Sequence, residues 1–281
     1  MLSKKNKIFA YGIITLFVSI ISIGQVNAAE YENYYGIEMT NEEYNTLLNL
    51  GFSEDEIYYM NEETYLENKD LDATLVSKNQ RYYKTIYTDL AGNSYSTEIT
   101  EEEYENQPNS NARGTVETEY KLMVTTISQN GNKFRYKVNL GWKNMPSKRN
   151  YDIIGVGFDD DVYINSNVNF FTYWCNSYGT CLTDQTYANK KKTSTGGAAV
   201  FDFPDSAVSL SASLYYDVSK NTSNTINHLS MYGDYAHATS NVSSSNVGDY
   251  YISDSGIELW SSIVAKYDEI PCAISAWSGS W

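Results

Sequence analysis

The chain has 281 residues, of which 42% are hydrophobic and 27 are tyrosine, and it carries a formal charge of −15 at pH 7. That length suffices for one large or two modest domains with a sizeable core. The excess of 35 acidic over 20 basic side chains argues against nucleic acid and anionic lipid as electrostatic partners.

The first segment is an address. Lys4, Lys5 and Lys7 precede an apolar run over 8–23, and Val26, Asn27 and Ala28 supply small residues before a cut after Ala28. This is the pattern of a secretory signal peptide over 1–28. No later stretch is apolar and long enough for a membrane-spanning helix, so a secreted, extracellular protein is expected.

An acidic module is expected over 29–104. Between residues 29 and 112 there are 19 acidic and 4 basic side chains, against 16 and 13 from 113 onward. Thr40 with Glu43 and Ser53 with Glu56 fit capping boxes, in which a hydroxyl and a carboxylate satisfy the free amides of a helix start. Asn61 opens a third short helix. Tyr44, Leu47, Leu48, Ile57, Met60, Tyr65 and Leu66 give these helices an apolar side, and Gly51 can stop the first in a left-handed conformation. None is long enough to stand alone. Strand-like runs at 81–88 and 94–99 flank a glycine-containing loop and predict a β-hairpin. The module is thus α+β, three short helices plus a hairpin. Residues 105–114 lack an apolar period and read as a linker.

From 115 to 281 the signals are almost all strand, and an all-β, sandwich-like domain is expected. Runs at 116–128 and 133–143 flank Asn130-Gly131-Asn132, a favourable hairpin turn. The run 151–158 is apolar enough for a buried strand. The longest signal is 207–219, where Val208, Leu210, Ala212, Leu214, Tyr216 and Val218 fall on one face and mainly serines on the other. Alternation at 257–267 predicts a further strand, and 272–281 closes the chain.

The strings LGFSEDEIYYM, YDIIGVGF, YGDYAHAT and the terminal WSGSW resemble a group of exported proteins of Gram-positive bacteria with no established activity. The resemblance covers nearly the whole chain beyond the leader. It implies export and carries no function.

Candidate chemistry is sparse. Cys175 and Cys181 enclose a five-residue turn, and in an exported chain they predict a disulfide; Cys272 is left over. Asp159, Asp161 and Asn165 have alternate-oxygen spacing that suits calcium but lack the glycine and bidentate glutamate of an EF-type loop, so a solvated acidic turn is the default. Asp234 and His237 are close enough in sequence for a carboxylate to orient an imidazole, yet on a strand they point to opposite faces. No nucleophile elbow, zincin motif or phosphate loop is present, and no cofactor is expected. With Trp277 and Trp281 as further binding candidates, the reading is a non-enzymatic extracellular binding or interaction protein, its partner a glycan, cell wall or protein. The alternative is a membrane-active, bacteriocin-like toxin, in which 207–219 and a returning arm form an amphipathic inserting hairpin.

Overall fold

A computed structural model describes residues 29–87, 94–107, 118–146, 148–159, 161–202, 204–243 and 245–281. The leader over 1–28, most of the 105–114 linker and the 88–93 hairpin loop lie outside the described residues.

Among the described residues, four α-helices begin where the hydroxyl and amide caps stand. They are α1 (Asn41–Asn49), α2 (Glu54–Tyr58), α3 (Glu62–Asn68) and α4 (Glu101–Glu105). Thr40 and Ser53 form full capping boxes with Glu43 and Glu56, and Asn61 and Thr100 cap the other two. Each cap satisfies an amide that has no partner inside its helix.

Two antiparallel sheets hold most of the remaining chain. The eight-stranded sheet runs Cys181–Asp184, Asn169–Asn176, Ala207–Lys220, Lys133–Trp142, Thr118–Asn130, Ala73–Tyr87, Ser94–Ile99, with Val162–Ile164 paired beside Ala207–Lys220. The six-stranded sheet runs Asn189–Lys192, Gly196–Phe201, Asp152–Phe158, His228–Ala238, Tyr267–Glu269, with Ala273–Ser278 also paired to His228–Ala238. Phe134, Tyr136, Val138 and Leu214 from the first sheet and Ile154, Val156, Phe158 and Met231 from the second form one buried cluster between them. Each such side chain contributes about 1.5–3 kcal/mol of burial.

Both sheets are also covered on their outer faces. Leu47, Leu50, Phe52, Ile57 and Met60 of the helical segment pack with Phe171 and Tyr215 on the outer face of the eight-stranded sheet. On the far side, the excursion between the His228–Ala238 and Tyr267–Glu269 strands carries Tyr250, Ile252, Ile257 and Ile263 onto Ile153, Val200 and Ala236. The molecule therefore has four layers.

Three expectations change. The predicted hairpin of the acidic module joins the larger sheet: Ala73–Tyr87 begins earlier than expected and pairs along nearly its whole length with Thr118–Asn130. Its outer-strand partner, Ser94–Ile99, adds one more ladder. The run at 257–267 is not one strand but Gly256–Leu259, a 3₁₀ turn at Val264–Lys266 and Tyr267–Glu269. The proposed inserting hairpin does not form, because Ala207–Lys220 and His228–Ala238 belong to different sheets. Leu210, Ala212, Leu214, Tyr216 and Val218 all lie in the inter-sheet core, as the alternation requires. The opposite face is not left to solvent: Ser213 and Tyr215 are buried beneath the helices. No described helix is long and apolar enough to cross a membrane.

Candidate functional site

The helical segment is seated on the sheet by charge as well as by apolar packing. Glu56 caps α2 through the Ser53 amide at 2.7 Å and also reaches down to the sheet. Lys137 Nζ donates to its two oxygens at 2.8 and 2.9 Å, and the Ser213 hydroxyl donates to Oε1 as well. Burial works to raise the Glu56 carboxyl, but the Lys137 charge and these hydrogen bonds outweigh it and hold it below the usual carboxylate range. Alongside, Arg135 donates to Asp217 at 2.7 Å and to the Asn68 amide oxygen. Gly51 has φ +86°, and a Cβ there would stand 2.2 Å from Thr126 Oγ1. The α1–α2 turn thus rests directly on the sheet, and only glycine fits.

A groove of about 780 Å³ opens beside this seat. Its floor is the outer face of the eight-stranded sheet, including Val124, Asn139 and Ser211; Tyr104 of α4 lines it too, as do Glu54, Asp55 and Tyr59. Tyr59 stacks on Tyr173 with ring centroids 4.0 Å apart. From there tyrosines continue outward: Tyr34 lies 5.2 Å from both Tyr59 and Tyr35, and 6.2 Å from Tyr58. Tyr34, Tyr35 and Tyr58 each expose more than 40% of their surface. Aromatic rings held this way offer large contact area at low entropic cost. The ridge is pinned by the Tyr34 amide donating to Tyr58 O at 2.8 Å and by Thr183 donating to the Tyr59 carbonyl.

The predicted disulfide is formed: Cys175 and Cys181 are bonded and face each other across an antiparallel pair. Tyr173 OH lies 2.7 Å from Cys175 Sγ, so the link sits next to the ridge. Cys272 is a free, partly buried thiol, and burial pushes it up to about 12.

The other sequence candidates are dispersed. Asp234 and His237 share the His228–Ala238 strand and face opposite layers. Asp234 turns outward under the excursion and accepts from the Ile257 amide at 2.9 Å and the Tyr235 amide at 2.7 Å. His237 points into the inter-sheet layer, where Nδ1 lies 2.9 Å from Asp152 Oδ2. Asp234 and His237 therefore occupy two unrelated environments, and the strand does not bring the carboxylate to the imidazole. Trp277 and Trp281 lie with ring centroids 4.9 and 4.8 Å from Phe134, packed against the core. Asn165 donates to Ser219 and its amide to Asp217 O, while the Asp161 carbonyl accepts from Asn221. Among the described residues no group of three or more His, Cys, Asp or Glu could hold a metal. Asp160 lies outside them.

Burial pushes the Asp234 carboxyl up to about 7, against the two amide hydrogen bonds. Its side-chain carboxyl ¹³C signal is expected to titrate near pH 7. The folded pKa lies above the ordinary 3.8, so stability falls as pH rises from about 4 to 7. A titration midpoint near 4 would show that water solvates this carboxyl.

One polar constellation was not anticipated. Glu119, Lys121, Asp152 and His237 are all fully buried at one end of the inter-sheet layer. Lys121 Nζ lies 2.8 Å from Glu119 Oε2 and donates to Thr85 at 2.8 Å, while Tyr87 donates to Glu119 at 2.6 Å. A signal for the first two was present: Glu119 and Lys121 share strand parity with Met123 and Ile127, which are core. All four side chains are closed off from solvent.

No family model matches the chain, and no curated protein matches its sequence. Among solved structures it is similar to the collagen binding domain of Erysipelothrix rhusiopathiae surface protein RspB, at 6% identity and TM-score 0.28 over 56% of this chain and 65% of that one. A collagen-binding domain from a Staphylococcus aureus adhesin follows, at 8% and TM-score 0.25 over 38% of this chain and 76% of that one. The KRT10-binding region domain of the pneumococcal serine rich repeat protein PsrP gives 9% and TM-score 0.27 over 66% of this chain and 98% of that one. The chain thus spans about two-thirds of the RspB domain's length. Scores this low do not establish a common fold.

Proposed function

We propose that this is an extracellular, non-enzymatic binding protein that holds a protein or glycan partner along the groove and the tyrosine ridge beside it. The observation that carries this reading is the stacked Tyr59–Tyr173 pair, fixed at the edge of the 780 Å³ groove and continued by exposed rings. Tyrosines of this kind are enriched among the few residues that dominate binding energy. The floor adds serine, threonine and asparagine side chains, which supply hydrogen bonds to a polar chain laid across the sheet.

The test is an array of purified matrix proteins, collagen and keratin among them, together with bacterial-wall and host glycans. At least one component should bind, and Tyr59→Ala/Tyr173→Ala should weaken it at least tenfold, about 1.4 kcal/mol. Trp260→Ala, at an exposed tryptophan outside the groove lining, should leave binding unchanged. Silence across the array, or equal loss in both variants, would remove the groove from consideration.

A further inference from the structure

A second, smaller concavity of about 280 Å³ adjoins the groove along α2, with Tyr31, Tyr44 and Tyr58 among its lining residues. Tyr31 stacks on Tyr44 with centroids 4.1 Å apart and planes within 10°. Met39 and Ile57, each 1% exposed, supply the apolar lining. Three carboxylates, Glu32, Glu54 and Asp55, complete it.

The pocket is rigid for local reasons. Asn33 donates to Met60 O at 2.8 Å and accepts from the Tyr35 and Ile37 amides at 3.0 Å, so one buried side chain closes the turn over α2. The Tyr31–Glu32 strand pairs with Glu38–Met39. Glu54 lies near enough to Tyr44 to push its hydroxyl pKa up, after burial and ahead of Tyr31. Among the described residues no lysine, arginine or histidine pairs with Glu32, Glu54 or Asp55, and none lies over the three rings. Aromatic walls with negative charge and no resident cation form a site whose complement is a positive charge.

We propose that this pocket binds a quaternary ammonium group of the choline type. Aromatic faces attract a cation through their quadrupole, most strongly where water is excluded. Met39 and Ile57 offer no hydrogen-bond acceptor to a primary ammonium, which would have to leave three donors unsatisfied or draw them to the carboxylates. A methylated ammonium has no such donors and packs its methyl groups against the tyrosine rings. The pocket shares Glu54 and Asp55 with the groove lining and Tyr58 with the ridge, whereas Tyr31, Glu32, Met39 and Tyr44 line the pocket and not the groove; the assignment needs no partner in the groove.

The test is titration of the purified protein with choline, followed by NMR or calorimetry. Choline should bind with Kd of about 1 mM or tighter, and its neutral isostere 3,3-dimethylbutan-1-ol at least tenfold more weakly. Tyr58→Ala should weaken choline at least fivefold, while Tyr58→Phe, which keeps the ring face, should stay within about twofold. Glu54→Gln/Asp55→Asn should weaken it most at low ionic strength, where charges are least screened. Because Tyr58 is 47% exposed, its removal should leave the thermal melt in place. Phosphatidylcholine vesicles and a soluble phosphocholine–protein conjugate then separate lipid headgroup from soluble carrier. Retention by either, lost in Tyr58→Ala, supports the site; retention by neither overturns it. Equal binding of the neutral isostere, tighter binding of N-acetyl-lysine methylamide, or indifference to Tyr58→Ala would also overturn it.

Discussion

Replacing Lys137 with methionine is expected to lower the unfolding free energy by about 3–5 kcal/mol and to loosen α2 from the sheet. Lys137 is 1% exposed on its side chain and Glu56 2%, so the substitution strands a buried carboxylate. The Ser213 hydroxyl and the Asn139 amide at 3.2 Å remain to Glu56, but neither carries charge. The Glu56 contribution to the pH dependence should also change sign. In the native protein the Glu56 pKa is depressed, so its stabilisation is present above the unfolded carboxylate value and is lost as pH falls through the lower folded value. Without Lys137, burial dominates and raises that pKa, so as pH falls from 7 toward 5 the variant should gain more stability than the native protein, in which Asp234 but not Glu56 acts in that sense. Urea melts across this range read both effects, and hydrogen exchange at 54–60 reports the loosened helix. A loss under about 1 kcal/mol would show that apolar packing alone seats the helices. Glu56→Gln/Lys137→Met should recover a large part of the loss, since it removes the stranded charge.

Asp152→Ala should cost a similar amount, about 3–5 kcal/mol, at the other end of the molecule. The carboxylate accepts from the Ala238 amide at 2.8 Å, from Tyr235 OH and from His237 Nδ1, all buried. Removing it strips the buried Ala238 amide of its acceptor and leaves Tyr235 OH and His237 Nδ1, 3.1 Å apart, without the carboxylate that joins them. Burial works to lower the His237 pKa, but Asp152 and Glu119 outweigh it, with Lys121 opposing them, and the imidazole is held above its usual value. A raised folded pKa stabilises fully below the unfolded value, about 6.5, and that contribution is lost as pH rises through the folded value. The native protein should therefore weaken on the alkaline side of pH 6.5. In Asp152→Ala the His237 contribution should vanish at lower pH, flattening that part of the profile. An unchanged profile would mean that the imidazole is neutral in the native state.

These two clusters show where reading a sequence stops. Helix starts at Thr40, Ser53 and Asn61 were visible because a cap acts three residues along the chain. The same holds for the 207–220 strand, whose alternation reports one face directly, and for Cys175 with Cys181, separated by 6 residues. Lys137 and Arg135 were invisible as site residues for the converse reason. Their parity places them opposite Phe134, Tyr136 and Val138, on a face that would ordinarily meet water, and only the docked helices bury them.

What the sequence by itself determined is therefore local: three caps, the strand periods, the Asn130–Asn132 turn and the Cys175–Cys181 link. The tertiary structure alone decided that both sheets are covered on their outer faces. It also decided that the front hairpin extends the larger sheet, and that the tyrosines of α2 converge with Tyr34 and Tyr173. Glu56 finds Lys137 across 81 residues, and Asp152 finds His237 across 85. Neither pairing has a local signature, because a buried charge selects its partner by three-dimensional proximity and desolvation, not by spacing along the chain.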